Sequence, residues 1–118
     1  QFQRNHGLNQ RWNLYYEGTL YGGFTYSLIS VNSGKALDNP RSSNAQSTQM
    51  IQYTWHRGKN QFWVFEDAGE DGSLYIRNAA SGLYLDIKGA SKADSAPLIQ
   101  YKFNGNANQR WYLVSLDR

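Results

Sequence analysis

The sequence predicts an all-β fold made of three repeated units around a pseudo-threefold axis. Repetition is the first observation behind this. Gln10-Arg11-Trp12, Gln61-Phe62-Trp63 and Gln109-Arg110-Trp111 share a Gln-x-Trp core, each preceded by Asn (Asn9, Asn60, Asn108). The copies start at residues 10, 61 and 109, and near-equal spacing at this length marks a repeat architecture. The second observation is texture. Short runs of β-branched and aromatic residues alternate with turn-formers, and no stretch keeps helical periodicity. Regularly spaced short strands make a sandwich or a barrel, and threefold repetition favours the barrel.

Taken in order, the first unit offers only its end. Counting back from Trp12 at the later spacing puts Phe2 opposite Tyr53 and Tyr101, and Asn5 opposite His56 and Asn104. Strands are expected at 26–31, 49–55, 62–65, 74–77, 98–103 and 111–115. Turns separate them at Asn32-Ser33-Gly34, Asp38-Asn39-Pro40, Glu70-Asp71-Gly72, Ala80-Ser81-Gly82 and Asn104-Gly105-Asn106. The segment from Tyr26 to Asp38 aligns with that from Leu74 to Asp86, both placing Ser-Gly four residues before Asp. From Ile51 to Trp63 and from Ile99 to Trp111 no gap is needed. The division is one domain over 1–118, with 1–17 the tail of unit one, 18–66 unit two and 67–118 unit three. Three full units need about 150 residues. The first is therefore expected to be incomplete at its N-terminus, with the remainder upstream in a longer polypeptide.

Composition narrows the function classes. The chain has 4 Trp, 9 Tyr and 5 Phe but one Met, so aromatic residues must supply much of a modest core. Zero Cys removes disulfides, thiolate zinc sites and thiol nucleophiles. No apolar run approaches the ~20 residues of a membrane span. The net charge of +3 is scattered, and the one charge cluster, Glu66-Asp67 with Glu70-Asp71, is acidic and expected in a turn. Nucleic-acid binding needs clustered Lys and Arg, so it is disfavoured. His6 and His56 have no second ligand at metal spacing, and no metal or cofactor is expected.

The Gln-x-Trp repeats, the Ser-Gly-x-x-Leu-Asp segments ending at Asp38 and Asp86, and the Ile-Gln-Tyr strands ending at Tyr53 and Tyr101 together resemble the ricin B-type β-trefoil family of lectins and carbohydrate-binding modules. The resemblance implies a β-trefoil whose first repeat is incomplete, and a sugar-binding role. It also implies site residues. Repeat two would offer Asp38, Tyr53 and Asn60, with Gln61 orienting the Asp and His56 reaching in from the loop. Repeat three would offer Asp86, Tyr101 and Asn108, with Gln109 and Asn104 in the equivalent places. These residue types suit a sugar: a carboxylate accepts from neighbouring hydroxyls, an Asn both donates and accepts, and a ring covers the C–H face. Where some members of the family carry a polar residue two positions before the aromatic, this chain has Ile51 and Ile99. Trp12, Trp63 and Trp111 are expected in the core rather than as sugar platforms.

The reading that results is a non-catalytic carbohydrate-binding module of a larger secreted, bacterial glycoside hydrolase or toxin, taking mono-, oligo- or polysaccharide. No nucleic acid and no membrane insertion are expected. The alternative is a trefoil with decayed sites acting as a structural or protein-interaction domain. A barrel short of strands also implies self-association, or a partner that covers the incomplete repeat.

Overall fold

The computed structural model describes residues 2–3, 11–88 and 97–113. Among them lie nine strands: β1 (Phe2–Gln3), β2 (Arg11–Leu20), β3 (Gly23–Ser30), β4 (Ala36–Asp38), β5 (Ile51–Tyr53), β6 (Trp63–Asp67), β7 (Leu74–Asn78), β8 (Tyr84–Ile87) and β9 (Leu98–Tyr101). Every pairing is antiparallel, in the order β1-β2-β3-β6-β7-β8-β9, with β4 bridging β3 and β5. Repeat two thus gives β3 and β6 to the main sheet path and adds the hairpin β4/β5, and repeat three gives β7 and the hairpin β8/β9.

The Trp of each Gln-x-Trp fixes the barrel register. Tyr26 pairs with Trp63, and Leu74 bridges Trp111, the same 37-residue separation (26 to 63, 74 to 111). Phe2 pairs with Trp12 in the same manner across only ten residues (2 to 12). Phe2 therefore takes the place of Tyr26 and Leu74, not that of Tyr53 and Tyr101, which pair with Ala36 and Tyr84. The physical reason is that the described residues include no first-repeat counterpart of β4. Strand backbone groups need partners, and β2 supplies them.

The core follows the aromatic composition. Trp12, Trp63 and Trp111 are buried, packed with Leu28, Leu37, Met50, Phe65, Ile76 and Leu85. The indole N–H of Trp63 donates to Leu37 O at 3.1 Å and that of Trp111 to Leu85 O at 3.2 Å. Neither buried indole is left unpaired, as burial requires.

Several expected boundaries move. The strand of the first Gln-x-Trp runs on to Leu20 as β2 and turns straight into β3, a hairpin that was not expected. β4 and β8 are also additional, and residues 49–55 contribute only Ile51–Tyr53. At 111–115 Trp111 forms one bridge, residues 112–113 are not strand, and the rest lies outside the described residues. Glu66 and Asp67 end β6 rather than sitting in a turn. Asn5, His6 and Gln10 also lie outside the described residues.

Candidate functional site

The Ser-Gly turns launch the site-bearing strands. Gly34 and Gly82 take φ of 74° and 75°, the left-handed conformation that glycine adopts without strain. Their N–H groups donate to Ser30 O and Asn78 O, both at 2.8 Å. The chain reverses there and enters β4 or β8, each of which ends at or next to a buried Asp.

Gln-x-Trp then works as a two-pronged clamp on that strand. In repeat two, Gln61 Nε2 donates to Asp38 Oδ2 at 2.9 Å and to Thr54 O at 2.9 Å. Its Oε1 accepts from the His56 N–H at 2.9 Å. Asn60 Nδ2 donates to Asp38 Oδ1 at 3.0 Å. Repeat three copies the frame at a constant offset. Gln109 Nε2 donates to Asp86 Oδ2 at 2.9 Å and to Lys102 O at 2.8 Å, and its Oε1 accepts from the Asn104 N–H at 3.0 Å. Asn108 Nδ2 donates to Asp86 Oδ1 at 2.8 Å. The two glutamines are fully buried. Each holds the carboxylate and the loop in one geometry.

Each Asp opens onto a pocket. A cavity of about 390 Å³ is lined by Asp38, Ile51, Tyr53, His56 and Asn60, together with Pro40 and Arg41. A second, of about 370 Å³, is lined by Asp86, Ile99, Tyr101, Asn104 and Asn108, with Ser47, Lys88 and Asn106. Eight of the ten expected residues therefore line pockets, and the remaining two, Gln61 and Gln109, sit behind them. Each carboxylate oxygen accepts one hydrogen bond from the frame and has lone-pair capacity left for hydroxyl donors. Ile51 and Ile99 pair directly across from Asp38 and Asp86 and make an apolar wall where a polar group was sought.

The pockets differ in their loops. His56 Nε2 lies 3.9 Å from Asp38 Oδ2, and its ring meets Tyr53 edge-on at 6.0 Å. A Cβ at Gly58 would collide with His56 Cε1, so this glycine is what admits the imidazole. In repeat three the loop runs Asn104-Gly105-Asn106, and the Asn106 N–H donates to Asn104 Oδ1 at 2.9 Å. Asn60 spends its amide on Asp38 Oδ1 and on Asn39 O, both at 3.0 Å. Asn108, half-buried, makes only the Asp86 bond among the described residues and has a second N–H to offer.

Arg41, Ser47, Lys88 and Asn106 were missed by reasoning from the sequence. Arg41 and Lys88 lie within three residues of an Asp, which was a usable signal. Ser47 reaches the repeat-three pocket from repeat two, a contact that repeat alignment cannot reveal.

Comparison with known proteins identifies the fold. The family model of the ricin-type beta-trefoil lectin domain-like group matches residues 8–101 and 59–118. A designed 3-fold symmetric protein, ThreeFoil, is 37% identical with a TM-score of 0.84, over 98% of this chain and 79% of its own. An exo-beta-1,3-galactanase from Clostridium thermocellum is 35% identical with a TM-score of 0.80, over 93% of this chain but 23% of its own. A Macrolepiota procera ricin B-like lectin, solved in complex with lactose, is 34% identical with a TM-score of 0.57, over 69% of this chain and 54% of its own. A search of curated protein sequences returned no match. With the family model spanning nearly its whole length, the chain belongs to the ricin-type β-trefoil lectin-like family.

Proposed function

We propose that the chain is a carbohydrate-binding module with two saccharide sites, at Asp38 and Asp86, and that β-linked galactose is the first ligand class to test. The observation that carries this is the duplicated frame: a buried Asp held by Asn and Gln, open to a pocket with a Tyr on one wall. The carboxylate accepts from vicinal hydroxyls, Tyr53 or Tyr101 covers the C–H face, and Asn60 or Asn108 completes the polar set. The galactanase and the lactose-bound lectin support galactose as the sugar.

The module binds without turnover. Glycoside hydrolysis takes two carboxylates across one cleft, and among the described residues each pocket has a single one. A similarity that covers 23% of the galactanase supports a place beside a catalytic domain in a larger secreted, bacterial polypeptide. In that setting the two sites would hold the enzyme, or a toxin, on a polysaccharide.

The experiment is a parallel titration with galactose and a long galacto-oligosaccharide. A shallow site should take the monosaccharide at about millimolar Kd. The oligosaccharide should bind at least tenfold tighter through effective concentration. No binding of either, together with silence on a glycan array, would remove the proposal.

A further inference from the structure

We propose that Arg41 makes the repeat-two pocket selective for an anionic saccharide, one bearing a carboxylate or a sulfate. The proposal deepens the saccharide reading and rests on it.

The starting point is a backbone anomaly. Arg41 has φ of 55° and Ser42 has φ of 52°. This is the left-handed region, which L side chains avoid and glycine enters freely. The turn is fixed by Ser42 N–H donating to Asn39 O at 3.0 Å and Ser43 N–H to Pro40 O at 3.1 Å. Fully buried Asn39 braces it by donating from Nδ2 to Ser43 O at 2.8 Å.

Repeat three has glycine at the aligned sequence positions. The alignment from Asp38 and Asp86 puts Gly89 opposite Arg41, and Gly105 opposite Arg57. Arg57 is also left-handed, at 61°, and Gly105 matches it at 69°. Repeat two therefore keeps arginine at two places where its sister has glycine.

One of these arginines is explained by the fold. Arg57 Nη1 pairs with Glu17 Oε1 at 3.3 Å, and its guanidinium lies 5.9 Å from the Trp55 ring centroid and 5.6 Å from that of Phe62. Arg41 is different. It makes no hydrogen bond or ion pair with any described residue, it is exposed, and it lines the pocket. A side chain held against backbone preference with nothing to hold in the fold points to a ligand.

Chemistry selects the ligand class. The guanidinium is a planar fork of N–H donors that matches a two-oxygen anionic group. Asp38 is acceptor-only when ionised and repels an anion. The sugar hydroxyls therefore turn to Asp38 and the anionic group to Arg41, which also fixes the orientation of the ring. Lys88, at the repeat-three pocket, is a point charge without the fork and stands opposite Pro40, not Arg41.

The test is an ¹⁵N NMR titration of the 118-residue chain with galactose, galacturonate and galactose 6-sulfate. The backbone amides of His56 and Asn104 report the two pockets separately. At His56 the anionic sugars should bind about fivefold tighter than galactose, a modest gain because Arg41 is exposed. Arg41→Gly should abolish that preference and Arg41→Lys should reduce it, with the anionic-to-neutral ratio at Asn104 unaltered by either. Arg41→Gly should melt no lower than the parent, since glycine relieves the left-handed backbone, so a lost preference is not unfolding. A gain confined to one anion supports the proposal and identifies the source of charge. Equal affinity for neutral and anionic sugars at His56, or a preference that survives Arg41→Gly, overturns it while leaving the saccharide reading in place. No shift at either amide with any sugar overturns both.

Discussion

The hairpins β4/β5 and β8/β9 carry the same hydrogen-bonded frame but rest on different support. β9 lies against residues 43–50 of the preceding repeat. Ser47 N–H donates to Gln100 O at 2.8 Å, Gln100 N–H to Thr48 O at 3.1 Å and Met50 N–H to Leu98 O at 2.8 Å. The Gln100 side chain adds bonds to Ser43 O at 2.8 Å and Ala45 O at 3.0 Å, and accepts from Ser81 Oγ at 2.7 Å. β5 has no such cover among the described residues. Ile51, Gln52 and Tyr53 are all exposed, whereas their counterparts Ile99 and Gln100 are buried. The difference teaches that a site's geometry is set within its own repeat, by Gln-x-Trp and the Asp. The burial behind it is set by the neighbouring repeat, as expected where each unit packs on the next.

The largest effect should come from the shared part. Trp63→Ala and Trp111→Ala each empty a buried indole site and should cost about 3–5 kcal/mol, read from denaturant unfolding. A loss below about 1 kcal/mol at either would show that the two repeats do not share a core.

The contrast itself is broken by Gln100→Ala against Gln52→Ala. The first removes a fully buried amide that donates to the 43–45 loop and accepts from Ser81 Oγ, leaving that hydroxyl without its acceptor, and should cost about 1–3 kcal/mol. The second removes an exposed side chain that accepts only from Ser33 Oγ and should stay within about 0.5 kcal/mol. Equal costs would mean that β9 gains nothing from its cover.

A smaller effect is pH-dependent and centres on Tyr84 of repeat three. Burial, then the bond from its hydroxyl to Glu66 Oε1 at 2.7 Å, pushes the Tyr84 phenol up to about 12 from an ordinary 10. The folded state favours the neutral phenol. Its contribution is therefore complete below pH 10 and is lost as pH rises through 12. Thermal melts of the parent and Tyr84→Phe should differ by a constant amount below pH 10, and the gap should close between pH 10 and 12. Repeat two has Ala36 in this position, so Ala36 substitutions should leave the alkaline limb alone.

What could be read from the sequence follows the same division. Trp63, Gln61 and Asp38 recur at fixed spacing in repeat three because one local frame is built twice, so spacing alone exposes them. β4 and β8 escaped notice because three or four residues after a Ser-Gly turn carry too little alternation to register as strand. The outer half of β2 escaped because it is exposed Tyr15 and Tyr16 followed by Gly18, where a bulge shifts the register. Ser47 and Gln100 work between repeats, and no pattern within one repeat encodes that. Arg41 is visible only as an arginine opposite a glycine, which means little until the φ at that position is known.

The most direct test of the two-site account is an ¹⁵N NMR titration with lactose of the parent chain, Asp38→Asn and Asp86→Asn. In the parent, the amides of His56 and Asn104 should both shift and saturate at about millimolar ligand. Asp86→Asn should silence Asn104 and spare His56, and Asp38→Asn should do the reverse. Either loss corresponds to about 1.5–3 kcal/mol for a missing charge-assisted bond. Lactose shifts that survive both substitutions, or that appear away from both amides, would contradict the claim that these two carboxylates are the centres of binding.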